Sequence, residues 1–197
     1  MMNCKYLLTI LLVAMLPSLA LAIPGDADDD GVSDGLDAFP NNPGLSAPAE
    51  ISVGGYHTCA LDITGVTCWG LNDSGQTDVP YMANPSKISS GELHSCAMHE
   101  SGVVCWGDNT KGQIEVPSFT GSVVSISAGG FHTCALLDNG VDCWGDDEYD
   151  QTTVPQLSNT TVLHSGRFHT CAIDDNGLSC WGDNEYSQTL VPSDLVS

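Results

Sequence analysis

The stretch His132-Thr133-Cys134-Ala135-Leu136-Leu137-Asp138-Asn139-Gly140-Val141-Asp142-Cys143-Trp144-Gly145 decides the fold, because the chain writes it four times. Its counterparts run from His57-Thr58-Cys59-Ala60-Leu61 to Cys68-Trp69-Gly70, from His94-Ser95-Cys96-Ala97-Met98 to Cys105-Trp106-Gly107, and from His169-Thr170-Cys171-Ala172-Ile173 to Cys180-Trp181-Gly182. Successive copies are offset by 37, 38 and 37 residues. The same offsets join Gln76, Gln113, Gln151 and Gln188, and then Pro80, Pro117, Pro155 and Pro192. Self-similarity at such a period marks an architecture whose units bury their apolar faces against one another.

Within each unit a β-prone segment around Ile51, Ile88, Ile126 or Leu163 leads to Gly54, Gly91, Gly129 or Gly166, and then to the His-x-Cys-Ala strand. A turn such as Asp138-Asn139-Gly140 or Asp175-Asn176-Gly177 sends the chain back along the Cys-Trp-Gly strand, since Asn and Gly tolerate the positive φ of tight hairpins. A polar segment then reaches the Gln and a proline that ends strand pairing. Each unit reads as three or four short strands, and no amphipathic helical period follows residue 22. The expectation is an all-β fold of four propeller-like units, 48–84, 85–122, 123–159 and 160–197.

Eight residues separate the two cysteines of every unit. With the turn centred between them, the pair falls opposite across the hairpin, where Cα atoms are close enough for a disulfide. The spacing predicts Cys59–Cys68, Cys96–Cys105, Cys134–Cys143 and Cys171–Cys180. Free buried thiols and zinc ligands are the competing readings; the spacing is unlike a zinc ribbon or knuckle.

Export argues for the oxidised form. Lys5, the apolar run from Tyr6 to Leu16 and the small-x-small Ala20-Leu21-Ala22 make residues 1–22 a cleaved signal peptide, too short and too interrupted by Pro17 for a spanning helix. Its loss discards Cys4 and leaves eight cysteines in an oxidising compartment. The expected location is secreted or extracellular surface, or periplasmic, with no membrane insertion after cleavage. The charge is −21, from 25 acidic against 4 basic residues, and all the acidic ones follow residue 22. Such a surface repels phosphate backbones and anionic lipid, so nucleic acid is excluded as a partner class.

The sentence Gly-Gly-x-His-Thr-Cys-Ala-Leu, a turn with glycine, then Cys-Trp-Gly-Asp and a following Gln resembles the repeat of the regulator of chromosome condensation family, in its secreted bacterial variety. The resemblance spans residues 48–197 and implies β-propeller blades, seven to a closed ring in that family. Two departures stand out: four units rather than seven, and a second glycine replaced by Glu92 and Arg167. A small four-bladed ring, an open arc that self-associates through its edges, and a fragment of a larger ring all fit.

Between leader and repeats, residues 23–47 hold Asp26-Ala27-Asp28-Asp29-Asp30-Gly31-Val32-Ser33-Asp34-Gly35-Leu36-Asp37. Carboxylates of Asp26, Asp28, Asp30, Asp34 and Asp37, with the Val32 carbonyl, supply a calcium cage around the turn at Gly31. The chain leaves through Phe39-Pro40 rather than a helix, so the segment resembles a thrombospondin type 3 calcium repeat. Calcium is the one expected cofactor; a solvated acidic linker is the plainer alternative.

The histidines 57, 94, 132 and 169 tempt a metal or catalytic reading. Their fixed place beside a strand cysteine argues instead for a structural role, as a ring bonded to neighbouring backbone. Trp69, Trp106, Trp144 and Trp181 read as packing between units. No nucleophile elbow, zinc helix or phosphate loop occurs. The expected function is a non-enzymatic module that binds an extracellular protein or glycan through variable loops such as 81–86 and 118–122. The alternatives are a proteinaceous inhibitor of an extracellular hydrolase and, further off, a metal-dependent hydrolase. Related propellers include nuclear exchange factors and a secreted β-lactamase inhibitor, so the resemblance does not choose a target.

Overall fold

The computed structural model describes residues 50–193 and Leu195. The leader and the whole of the acidic loop lie outside the described residues.

Twelve strands form four antiparallel sheets, each drawn from one repeat. The first contains β1 (Glu50–Val53), β2 (His57–Asp62) and β3 (Gly65–Gly70); the second β4 (Lys87–Ser90), β5 (His94–His99) and β6 (Gly102–Gly107). The third contains β7 (Val123–Ala128), β8 (His132–Leu137) and β9 (Gly140–Gly145); the fourth β10 (Val162–Ser165), β11 (His169–Asp174) and β12 (Gly177–Gly182). Every unit thus has three strands, not four. The polar segment read as a possible fourth strand is turn and loop, and its backbone is satisfied locally. In the third unit Gln151 accepts at Oε1 from the Tyr149 N–H and donates from Nε2 to Asp146, while Asp147 takes the Thr152 N–H. Such side-chain bonds compete directly with a strand ladder.

The hairpins are two-residue turns, as in Leu137 paired with Gly140. Their mechanism differs from the expected one. Asn139 keeps a negative φ and only Gly140 turns positive, at 153°, a region that disfavours a Cβ. The turn sets Cys59 opposite Cys68, Cys96 opposite Cys105, Cys134 opposite Cys143 and Cys171 opposite Cys180. All four pairs are disulfides, with Cα atoms 4.0 to 4.1 Å apart, the short spacing of a close antiparallel pair.

Because strand side chains alternate, the middle strand of each sheet carries two unlike faces. His57, Cys59 and Leu61 of β2 are buried against the second unit, whereas Thr170 and Ala172 of β11 are buried against the third. β8, flanked on both sides, is buried along its whole length. Each junction therefore joins a His-Cys face to the Thr/Ser-Ala face of the next unit, and the next unit adds its tryptophan and first-strand apolar residue. Cys59 and Leu61 pack with Ile88, Ala97 and Trp106; Cys96 with Ile126, Ala135 and Trp144; Cys134 and Leu136 with Leu163, Ala172 and Trp181. Each large side chain so covered contributes about 1.5 to 3 kcal/mol, and these junctions constitute the hydrophobic core.

Candidate functional site

Each junction carries one polar relay repeated in register. His57 Nε2 lies 2.6 Å from Ser95 Oγ, His94 Nε2 2.9 Å from Thr133 Oγ1, and His132 Nε2 2.9 Å from Thr170 Oγ1. The Thr133 hydroxyl donates to the Gln113 carbonyl at 3.0 Å. Since that carbonyl only accepts, the hydroxyl proton is committed there, and the imidazole is the donor from Nε2. The same glutamine carbonyls accept the indole N–H of the next unit: Trp106 to Gln76, Trp144 to Gln113 and Trp181 to Gln151, at 2.9 to 3.0 Å.

The histidine bond thus runs to a hydroxyl one unit on, not to neighbouring backbone as the sequence suggested. The signal was present, because the residue between His and Cys is always Thr or Ser. Burial pushes the pKa of both His94 and His132 down to about 4, and that of His57 down also. Neutral, buried rings bonded to hydroxyls of the next unit hold the units together. Among the described residues no cluster of three metal-ligating side chains occurs.

One relay is incomplete. Gln113, Gln151 and Gln188 donate from Nε2 to Asp108, Asp146 and Asp183. In the first unit Leu71 stands at that aspartate position, and the fully buried Gln76 Nε2 has no partner among the described residues. Leu71→Asp is expected to stabilise the protein by about 1 to 2 kcal/mol, because an orphaned buried donor gains a charged acceptor; a rise in urea midpoint at unchanged slope is the check.

The four units converge where their first strands end. A cavity of about 340 Å³ opens there, lined by the pairs 54–55, 91–92, 129–130 and 166–167. Glu92 and Arg167, the two departures from Gly-Gly, meet across it: Arg167 Nε lies 2.7 Å from Glu92 Oε2, and Nη2 donates to Oε1 at 2.8 Å. The intervening unit makes room with Gly130, where a methyl group would stand 2.6 Å from the Arg167 carbonyl oxygen and 2.8 Å from its Cγ. The pair is too exposed to contribute more than about 1 kcal/mol. Beside it lies an aromatic ridge. The Arg167 guanidinium sits 5.1 Å over the Phe168 ring, which stacks on Phe131 at 5.8 Å and meets Tyr149 at 5.5 Å. Tyr56 is exposed at the corresponding place in the first unit. At the opposite strand ends, Tyr81 of the loop 81–86 is 96% exposed, and with the hairpin turn at 62–65 that loop borders a second cavity of about 430 Å³.

Units of this kind, strung around a shared cavity through interlocking faces, define a β-propeller arc. The profile of the regulator of chromosome condensation (RCC1) repeat matches residues 49–76, 86–113, 123–151 and 165–188, more than half of the chain. The protein belongs to that family. No curated protein sequence matches the chain. Among solved structures, the ectodomain of the Physcomitrella patens receptor kinase CR4 is 33% identical, covering 74% of this chain and 43% of its own, with a TM-score of 0.61. The ectodomain of the Arabidopsis thaliana receptor kinase ACR4 is 28% identical over 68% of this chain and 52% of its own, at 0.57. Saccharomyces cerevisiae Prp20p, whose binding to Gsp1p and histones was studied with its structure, shares the fold at 22% identity, 77% and 48% coverage and 0.65. The chain spans about half the length of these structures.

Proposed function

We propose that this protein is an exported scaffold that binds a protein partner at the mouth of its propeller arc and carries calcium on the loop at residues 26–37. The observation that carries the reading is the ridge of Phe131, Phe168 and Tyr149 beside Arg167, with Tyr56 exposed at the equivalent position of the first unit. Aromatics and arginine supply most of the binding energy at protein interfaces. The polar chemistry of the repeats, by contrast, is consumed in joining units. Four disulfides and the likeness to two receptor ectodomains support an extracellular setting.

Three measurements test it. Intact mass of the exported protein is expected to begin at Ile23. Calcium is expected to bind with a Kd of about 0.1 to 1 mM, and not to Asp28→Asn/Asp30→Asn. In capture of extracellular proteins, Tyr56→Ala/Tyr149→Ala is expected to weaken retention at least about tenfold, as two hot-spot aromatics lost together should. Equal retention by that variant removes the mouth as the site. Loss with Tyr81→Ala instead would move the site to the loop end, where that ring's exposure favours a second reading. A captured hydrolase silenced by the complex would make the protein an inhibitor, and turnover of ester or glycan substrates by the purified chain would overturn the non-enzymatic reading.

A further inference from the structure

The two ends of the array are halves of the junction already present three times inside it. On the first unit the outward face is the Thr58-Ala60 face of β2, with Trp69 and Ile51. Trp69 is 53% exposed where Trp106, Trp144 and Trp181 are 6 to 9% exposed, and Ile51 is 64% exposed where Ile88, Ile126 and Leu163 are 5 to 8%. On the fourth unit the outward face is His169, Cys171 and Ile173 of β11. Ile173 is 43% exposed, whereas Leu61 and Leu136, its counterparts, are 4% and 3%.

The hydrogen-bonding groups left over also match. Among the described residues His169 Nε2 has no hydroxyl facing it, and the Trp69 indole N–H and the Gln188 carbonyl are without partners. Laid on the pattern of the three internal junctions, His169 meets Thr58, Trp69 donates to the Gln188 carbonyl, and Ile173 packs on Ile51 and Trp69. The backbone rung repeats too: Gly55, Glu92 and Gly130 each donate to a carbonyl of the following unit's glycine pair, and Arg167 N–H stands at the next step. One rung changes, since His164 holds the place where Ser52, Ser89 and Ser127 accept a backbone N–H from the next unit.

We propose that the fourth unit of one copy docks on the first unit of a second copy, forming a fourth junction of the kind found within the chain. The contact is heterologous, one surface on one copy and a different one on its partner, so it leaves an unlike pair of edges to close a ring or to propagate. The docked surfaces are the outward faces of the first and fourth sheets and touch the mouth only at the Arg167 rung, so the proposal does not depend on what the mouth binds. Both copies carry the same strong negative charge, so docking is opposed at long range and strengthens as salt screens it.

The test uses the full chain with its disulfides intact and two edge variants, Trp69→Arg and Ile173→Asp, each at an exposed position. Sedimentation over a concentration series in 0.3 M salt is expected to show the unaltered chain as dimer or larger. Each variant alone is expected to be monomeric, with association weakened roughly 100-fold by loss of a central anchor. Mixed, the two variants are expected to form a 1:1 complex, because each retains the edge the other lost. Near-native circular dichroism and a single cooperative thermal transition show that the variants fold. A monomeric unaltered chain at all concentrations and salts overturns the proposal. So does self-association of either variant alone, which indicates like-to-like pairing, or failure of the mixture to associate.

Discussion

Acidification from pH 7 to 4 is expected to lower the stability of the repeat array by several kcal/mol. His94 and His132 titrate near 6.5 in the unfolded chain and at about 4 in the folded one, where burial withholds the charged form. Between those values the unfolded state binds protons that the folded state refuses. Stability therefore falls with falling pH across that window and levels off below it. Each ring contributes about 3 kcal/mol to the loss, and His57 shifts in the same direction. Relief of carboxylate repulsion opposes the trend, since the charge of −21 shrinks toward a pI near 4.1. The two effects separate by screening: in 0.5 M salt the surface repulsion is largely removed, while the buried rings are untouched. Asp147 and Asp174, whose pKa values are lowered by hydrogen bonds, lose their contributions only below the carboxylate range, beneath the histidine window. Urea unfolding at pH 7, 6, 5 and 4 in 0.5 M salt checks the slope. His132→Asn, which keeps a donor in place, should remove about half of it. A flat profile would mean that the rings are protonated in the fold.

The repeat and its bridges were legible because their determinants are local. A two-residue turn fixes hairpin register, and a nine-residue separation then leaves a cysteine one possible partner. The count of strands was less legible, because the segment from Asp146 to Thr153 has strand-like length but spends its backbone groups on Gln151 and Asp147. Period alone also makes four tryptophans equivalent. Trp69 differs only by where it stands in the array, which is a fact about neighbours and not about its own sequence. The mouth was half visible. Glu92 and Arg167 register as two lost glycines, yet their opposite charges on either side of Gly130 are the mark of a pair that meets over a unit kept small. The ridge of Phe131, Phe168 and Tyr149 was missed because the repeat position that Phe131 and Phe168 occupy holds Tyr56 and Leu93 in the other units, and Tyr149 comes from another loop. The calcium-binding role proposed for residues 26–37 rests on their sequence alone, since they lie outside the described residues.

Reduction is expected to dismantle the array from its fourth unit inward. Each bridge closes a ten-residue loop, which the chain-entropy account values at about 2 to 3 kcal/mol, so four together rival the whole stability of an ordinary domain. They are not equally accessible. Cys59, Cys96 and Cys134 are fully buried by the unit that follows each, whereas Cys171, which no following unit covers among the described residues, is only half-buried. A thiolate must reach a sulfur to exchange with it; both residues of Cys171–Cys180 are half-buried, whereas each other bridge offers only its second cysteine, so Cys171–Cys180 is the bridge most open to exchange in the native state. Limited dithiothreitol followed by alkylation and peptide mass analysis should label Cys171 and Cys180 first, with the rest of the array still folded. The energetic counterpart is expected in alanine pairs. Cys171→Ala/Cys180→Ala should cost about 2 to 3 kcal/mol and fray one end. Cys134→Ala/Cys143→Ala removes the bridge at the centre of the array, where the third unit is shared by two junctions. In a quasi-one-dimensional array the loss of a central unit uncouples both neighbours, so the second pair should broaden or split the unfolding transition where the first does not. Simultaneous labelling of all eight cysteines at the lowest reductant concentration would show instead that the units open together, and that the junctions dominate the bridges in holding the protein folded.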